Sequence, residues 1–224
     1  MSATAVAALA AVGGGLGALV WEPLEPRITA RSEGADELLE QPPWTRRVTS
    51  RPVLVLVSAI VCGAVGLRFG ATRELIPALV LAFALVGISA IDLRYRIIPD
   101  RITLPLVVAG VVLGAALRLS DLPELGLAAF GAGLFLLVAA LMAPSGMGIG
   151  DVKLVFVLGL FLGRSVIVAV IVGLLSVVVP TIAALPSKGL RARKMHLALG
   201  PFLALGGMVA LLAGEDIIAW YTGD

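Results

Sequence analysis

The sequence predicts an all-α, polytopic transmembrane bundle of about eight spans with its N-terminus outside. Three observations carry that prediction. First, 59% of the 224 residues are AVILMFWYC and only 14% are charged, against roughly 45–50% and about 25% in a soluble domain. Second, the mean hydropathy is +1.06, more apolar surface than a soluble domain of this size could bury. Third, the apolar residues fall in separate runs, several approaching the roughly 20 residues that one helical crossing requires. Disorder, a disulfide scaffold and a nucleic-acid binder are excluded at the same step.

The runs lie at 3–20, 53–70, 74–91, 102–118, 122–143, 150–163, 165–185 and 197–213. The first has no basic residue before it, so it reads as a retained span rather than a cleaved signal. The fourth is marginal, and the sixth is short enough to be re-entrant, which would lower the count to seven. Glycines recur in nearly every run, where small residues let membrane helices approach closely. Pro180 in the seventh run and Pro201 in the eighth are expected to kink their helices.

Orientation follows from the basic residues. Thirteen of seventeen Lys and Arg fall in 21–52, 92–101, 144–153 and 186–196, and only Arg68, Arg73, Arg118 and Arg164 fall in the alternate connections. The positive-inside rule places the first set in the cytoplasm. The chain divides into residues 1–52, a span and a hydrophilic cytoplasmic loop, and 53–224, a membrane-embedded core. The loop mixes six acidic with five basic residues and is too small for a core of its own; SEGADELLEQ is expected to form a short surface helix. Trp21, Trp220 and Tyr221 flank span ends, as interfacial aromatics do.

Ionisable residues near spans are costly, and two stand out. Asp92 ends the third run in ISAIDLRYRIIPD, and Asp151 opens the sixth in SGMGIGDVKL. Both fall on the cytoplasmic side by the charge count. Two carboxylates sharing one site cannot easily both ionise. One can take a proton from water while the other hydrogen-bonds a scissile carbonyl, an aspartic-protease arrangement needing no metal and no cofactor. The pair titrates jointly, so neither member is assigned the acid role. A helix from Arg73 to Asp92 rises about 28 Å, but one from Arg164 to Asp151 only about 20 Å. Tilt, snorkelling of Arg164 or local thinning would bring the two level, and so would a water-filled notch from the cytoplasm.

Other residues have plainer readings. Gly146, Gly148 and Gly150 make either a flexible turn or an unobstructed backbone against which an extended substrate can pair. Lys153 either stabilises charge at the pair or snorkels to headgroups. On charge alone Asp100 and Glu124 are solvated loop residues, and Cys62 is a buried, inert thiol. The sole histidine, His196, is interfacial, and Arg191, Arg193 and Lys194 anchor to anionic lipid. One cysteine and one histidine cannot supply four zinc ligands, so the metal set is empty.

Three segments, taken together, resemble the bacterial prepilin peptidases, membrane aspartic proteases of the GxGD type. Asp92-Leu-Arg-Tyr-Arg-Ile-Ile-Pro99-Asp100, continuing to Pro105, is similar to their first aspartate motif. Gly148-Ile-Gly150-Asp151-Val-Lys153 resembles their GxGD motif, and Leu199-Gly200-Pro201-Phe202-Leu-Ala-Leu-Gly206 their closing segment. The resemblance covers about 53–213. It implies catalysis by Asp92 and Asp151, with Gly148, Gly150, Lys153, Pro99, Asp100, Gly200 and Pro201 binding substrate or shaping the site. It further implies a multi-pass protein of the bacterial cytoplasmic (inner) membrane that removes the basic leader from type IV pilin-like precursors. Its partners would be those precursors and the lipid bilayer, with no nucleic acid; the oligomeric state is not set. Larger members carry paired CxxC motifs in the first cytoplasmic loop and also N-methylate the product. Residues 21–52 have no cysteine, which implies a short form without the zinc subdomain and puts methyl transfer in doubt. The rival from another class is a proton-coupled transporter in which both aspartates carry protons.

Overall fold

The structure is a computed structural model. It describes residues 50–142, 147–188 and 198–223, together with residues 2, 5, 8 and 10–13. Expectations for the loop 21–49, Gly146, Arg191, Arg193, Lys194 and His196 lie outside the described residues.

Seven helices occupy the seven described apolar runs: α1 Arg51–Phe69, α2 Leu75–Tyr95, α3 Asp100–Leu117, α4 Leu122–Met142, α5 Ile149–Leu162, α6 Val166–Lys188 and α7 Gly200–Thr222. Among the described residues, six helical stretches are long and apolar enough to cross a membrane, with Ile149–Val179 taken as one stretch that holds α5 and most of α6. That stretch is not straight. Gly163, at φ 55, occupies a conformation that side-chain-bearing residues avoid, and it ends α5 by donating its N–H to the Gly159 carbonyl. The first run is helical at its described positions 5, 8 and 10–13, and Gly13 lies against Cys62 and Ser58 of α1. Cys62 is buried there.

Glycine contacts fix the packing direction. Gly159 of α5 meets the backbone of Ala129 in α4, and Gly133 of α4 meets Phe156 in α5, so this pair runs antiparallel. Gly206 of α7 meets Gly173 and the Ala169 carbonyl of α6, while Gly214 meets Ser165, so this pair is antiparallel too. At Gly159, Gly206 and Gly214 a Cβ would collide with backbone or with buried Ser165, which explains those glycines in physical terms, whereas at Gly133 it would make only an ordinary contact with Phe156. Gly200 of α7 meets Asp92 of α2 and Gly207 meets Leu85 of α2, while Gly150 of α5 meets Ile98 just beyond α2, so the C-terminal end of α2 lies at the same end of the bundle as the N-terminal ends of α5 and α7.

The core is a layer of Leu81, Leu85 and Ile88 from α2, Leu154, Val157 and Leu158 from α5, and Leu203 from α7. Outward faces are apolar as well, with Leu127 75%, Phe130 69% and Val179 70% exposed, the pattern of a bundle surrounded by lipid.

Two expectations are corrected. The last helix runs to Thr222 rather than 213, and within the added turns Asp216 is held at 2.9 Å on both carboxylate oxygens by Arg68 of α1. Pro201 does not kink it; it sits in the first turn of α7, where the missing N–H costs nothing. The backbone of α6 continues through Pro180.

Candidate active site

Both aspartates are buried at the shared end of α2, α5 and α7, with exposures of 4% for Asp92 and 8% for Asp151. Asp92 lies in the last turn of α2. The turn is closed by Arg96, which adopts the left-handed conformation (φ 54, ψ 36) and donates its N–H to the Asp92 carbonyl at 2.8 Å. A left-handed arginine is unusual, and here it redirects the chain into Ile97–Pro99 immediately beyond the carboxylate.

Asp151 is the third residue of α5. Its Oδ2 accepts the Gly148 N–H at 3.0 Å, capping its own helix. Oδ2 of Asp92 accepts the Gly200 N–H at 3.0 Å, from the first residue of α7. Each carboxylate thus takes one bond from a helix N-terminus, where unsatisfied N–H groups and the helix dipole favour an anion. Among the described residues neither Oδ1 accepts a hydrogen bond. The carboxylates are close enough to interact electrostatically, so α2 and α5 bring the sequence-predicted pair together.

The glycines differ in what they do. A Cβ on Gly200 would lie 2.6 Å from Oδ2 of Asp92, so only glycine permits that approach. A Cβ on Gly150 would come 3.0 Å from Cβ of Ile98, the contact that seats the α2–α3 connection on α5. A Cβ on Gly148 would reach Oδ2 of Asp151 at an ordinary 3.5 Å. The extended stretch is shorter than the glycine pattern suggests: Gly148 is extended (φ −88, ψ 152), while Ile149 and Gly150 already belong to α5.

Lys153 contacts neither the pair nor solvent alone. Its Nζ donates to Oδ1 of Asp100 at 2.6 Å, with both side chains about half exposed. Asp100 is the first residue of α3, with Pro99 as its N-cap in extended conformation. Reading Asp100 as a merely solvated loop residue is thereby corrected: it ties α3 to α5. Pro201 lines an apolar groove of about 240 Å³ with Ser89, Ala90 and Leu93, beside Asp92. Thr103 is buried, and its hydroxyl has no hydrogen-bond partner among the described residues. Its position inside the first aspartate motif was the only sequence signal for it. No group of three or more metal-ligating side chains occurs among the described residues.

The helix α5 is shorter than α2. With 14 residues, α5 rises only about 21 Å, and beyond its C-terminus lies a polar cavity of about 510 Å³. Arg118 closes the helix there by donating from Nη2 to the Phe161 carbonyl at 3.1 Å.

Fold and site together define a helical membrane protein with a carboxylate pair at one end of its bundle. The Type IV leader peptidase family matches residues 79–185. The prepilin leader peptidase/N-methyltransferase of Bacillus subtilis is 35% identical over 76% of this chain and 68% of its own length. Those of Xanthomonas campestris and Pseudomonas aeruginosa are 36% and 31% identical over 76% of this chain, and the matched regions span 61% and 60% of those relatives. The chain belongs to the type IV leader peptidase family. No solved structure matches it.

Proposed function

We propose that this chain is an aspartic endopeptidase that removes the basic leader of type IV pilin-like precursors at the cytoplasmic face of the bacterial inner membrane. The observation that carries the reading is the buried pair Asp92 and Asp151, each with Oδ2 fixed by a helix N-terminal N–H and Oδ1 left available. The ionised member takes a proton from water, and the water oxygen attacks the scissile carbonyl. The neutral member donates its proton to the carbonyl oxygen. Collapse of the tetrahedral species then sends a proton to the departing amine.

In this proposal Gly148 and Gly200 are positioning residues, Gly150 and Pro99 seat the connection above the pair, and Lys153 with Asp100 holds α3 to α5. Pro201 borders the groove that receives the apolar segment following the cut. The distribution of basic residues supports a cytoplasmic position for the pair, an external N-terminus and eight spans. The absence of cysteine from 21–52 supports cleavage without zinc and without N-methylation, although the relatives are named for both activities. The apolar layer between the pair and the opposite end, with Leu81, Leu85, Leu154 and Leu158 fully buried, supports hydrolysis at one face over a proton path across the membrane.

The test is co-expression with a prepilin. Asp92→Asn and Asp151→Asn should each abolish leader removal, and the double variant should be no worse than either single one. Substantial cleavage by either purified Asn variant would sink the dyad.

A further inference from the structure

The cavity at the end opposite the aspartates is a second built site, and the peptidase reading does not use it. Its charged lining comes from Arg68, Arg73, Glu74, Arg118 and Glu215, with the hydroxyls of Thr72 and Ser165 beside them. Arg68 is committed to Asp216. The remaining charged side chains are two cations and two carboxylates, and Arg73, Glu74 and Glu215 have no ion-pair partner among the described residues. Ser165 is 3% exposed, and among the described residues neither its hydroxyl nor the buried Nε of Arg118 has a hydrogen-bond partner. Buried donors left without partners are costly unless something binds them.

The rest of the lining is apolar, including Phe69, Leu162 and Leu211, and about 510 Å³ falls within the size range of small-ligand sites. Depth fixes the setting. Trp220 and Tyr221, each 84% exposed, lie one to two turns beyond Glu215 on α7, where interfacial aromatics sit at headgroup level. Leu67 and Ile76, 73% and 56% exposed, give the flanking surface an acyl-chain character.

We propose that this cavity binds the headgroup of an amine-bearing phospholipid. Its phosphate accepts hydrogen bonds from Arg73, Arg118 and Ser165, and its ammonium donates to Glu74 and Glu215. Balanced charge is the reason for a zwitterion: an anionic lipid would leave both glutamates unpaired. A quaternary choline carries no N–H to give them.

The test uses the full chain in nanodiscs of phosphatidylethanolamine, phosphatidylcholine and phosphatidylglycerol in equal amounts, with retained lipid counted by native mass spectrometry. Phosphatidylethanolamine should be retained preferentially. Arg73→Gln, in an exposed connection, and Ser165→Ala should each lower that retention about tenfold, as expected for losing a hydrogen bond to a charged group. Glu215→Gln should erase the preference over phosphatidylcholine. Prepilin cleavage by Arg73→Gln should match wild type, which keeps this test separate from the peptidase reading. Unchanged retention in both Arg73→Gln and Ser165→Ala overturns the proposal. So does displacement by millimolar inorganic phosphate or free phosphoethanolamine as effective as displacement by the lipid, since the site would then take a small anion.

Discussion

Gly200→Ala is the most discriminating single change the site offers. The new Cβ would stand 2.6 Å from Oδ2, 2.9 Å from Cγ and 3.2 Å from Cβ of Asp92. Reaching an ordinary contact of about 3.4 Å requires the carboxylate or the start of α7 to move by nearly 1 Å, against close-packed surroundings. That shift also stretches the 3.0 Å bond from the Gly200 N–H. A misplacement of about 1 Å costs roughly 10²-fold in rate. Overpacking costs about 1–3 kcal/mol of stability, of which alanine's better helix propensity returns up to about 1 kcal/mol. The variant should therefore fold, with a modest fall in Tm, and lose about two orders of magnitude in kcat for leader removal. The control is Gly148→Ala, whose Cβ meets Oδ2 of Asp151 at 3.5 Å and whose φ of −88 suits alanine; it should lose less than about threefold, because no group has to move. Gly150→Ala, at 3.0 Å from Ile98, should fall between them. Wild-type kcat in a folded Gly200→Ala enzyme, or equal losses at Gly148 and Gly200, would show that the close approach of Gly200 does not position Asp92.

Gly206→Ala and Gly159→Ala should be the two most damaging small substitutions in the helix interfaces, because each Cβ meets backbone, of Ala169 and Gly173 in the first case and of Ala129 in the second, rather than a movable side chain; a Tm several degrees lower in detergent is expected for each, at a cost of about 1–3 kcal/mol or more. Lys153→Met and Asp100→Asn remove the same 2.6 Å ion pair. Exposed pairs contribute only about 0–1 kcal/mol, so each variant should keep most of its activity, and a double-mutant cycle should show the two effects to be shared rather than additive. Chelators should leave leader removal unchanged, and mass spectrometry of the product, with S-adenosylmethionine supplied, should show an unmethylated N-terminus; a methylated one would show a methyl-transfer site in this chain.

Composition and periodicity were enough for the all-α class, because a membrane helix is specified locally by some 20 consecutive apolar residues that satisfy their own backbone. Every described run became a helix for that reason, and the carboxylates were conspicuous because charge is expensive at such positions. Helix ends were less legible. The helix α7 runs past 213 to Thr222, and the partner of its Asp216 is Arg68, 148 residues away in the chain, a pairing no local pattern encodes.

The site was legible in its members and illegible in its bonds. GxGD marks Asp151, yet only the packing of α7 onto α2 makes Gly200 the donor to Asp92, and only the α2–α3 turn turns Gly150 into the seat for Ile98. Lys153 shows the limit most plainly: sequence offered charge stabilisation or snorkelling, and the fold gave it Asp100 instead. Sequence marked the sixth run as short, and only the tertiary structure shows how it ends: α5 stops after 14 residues, its Phe161 carbonyl taken by Arg118, with a cavity at the opposite end of the bundle. Sequence determines which segments are helices and which side chains are costly to bury. The antiparallel packing, set by where glycines let backbones meet, determines which of those side chains face one another.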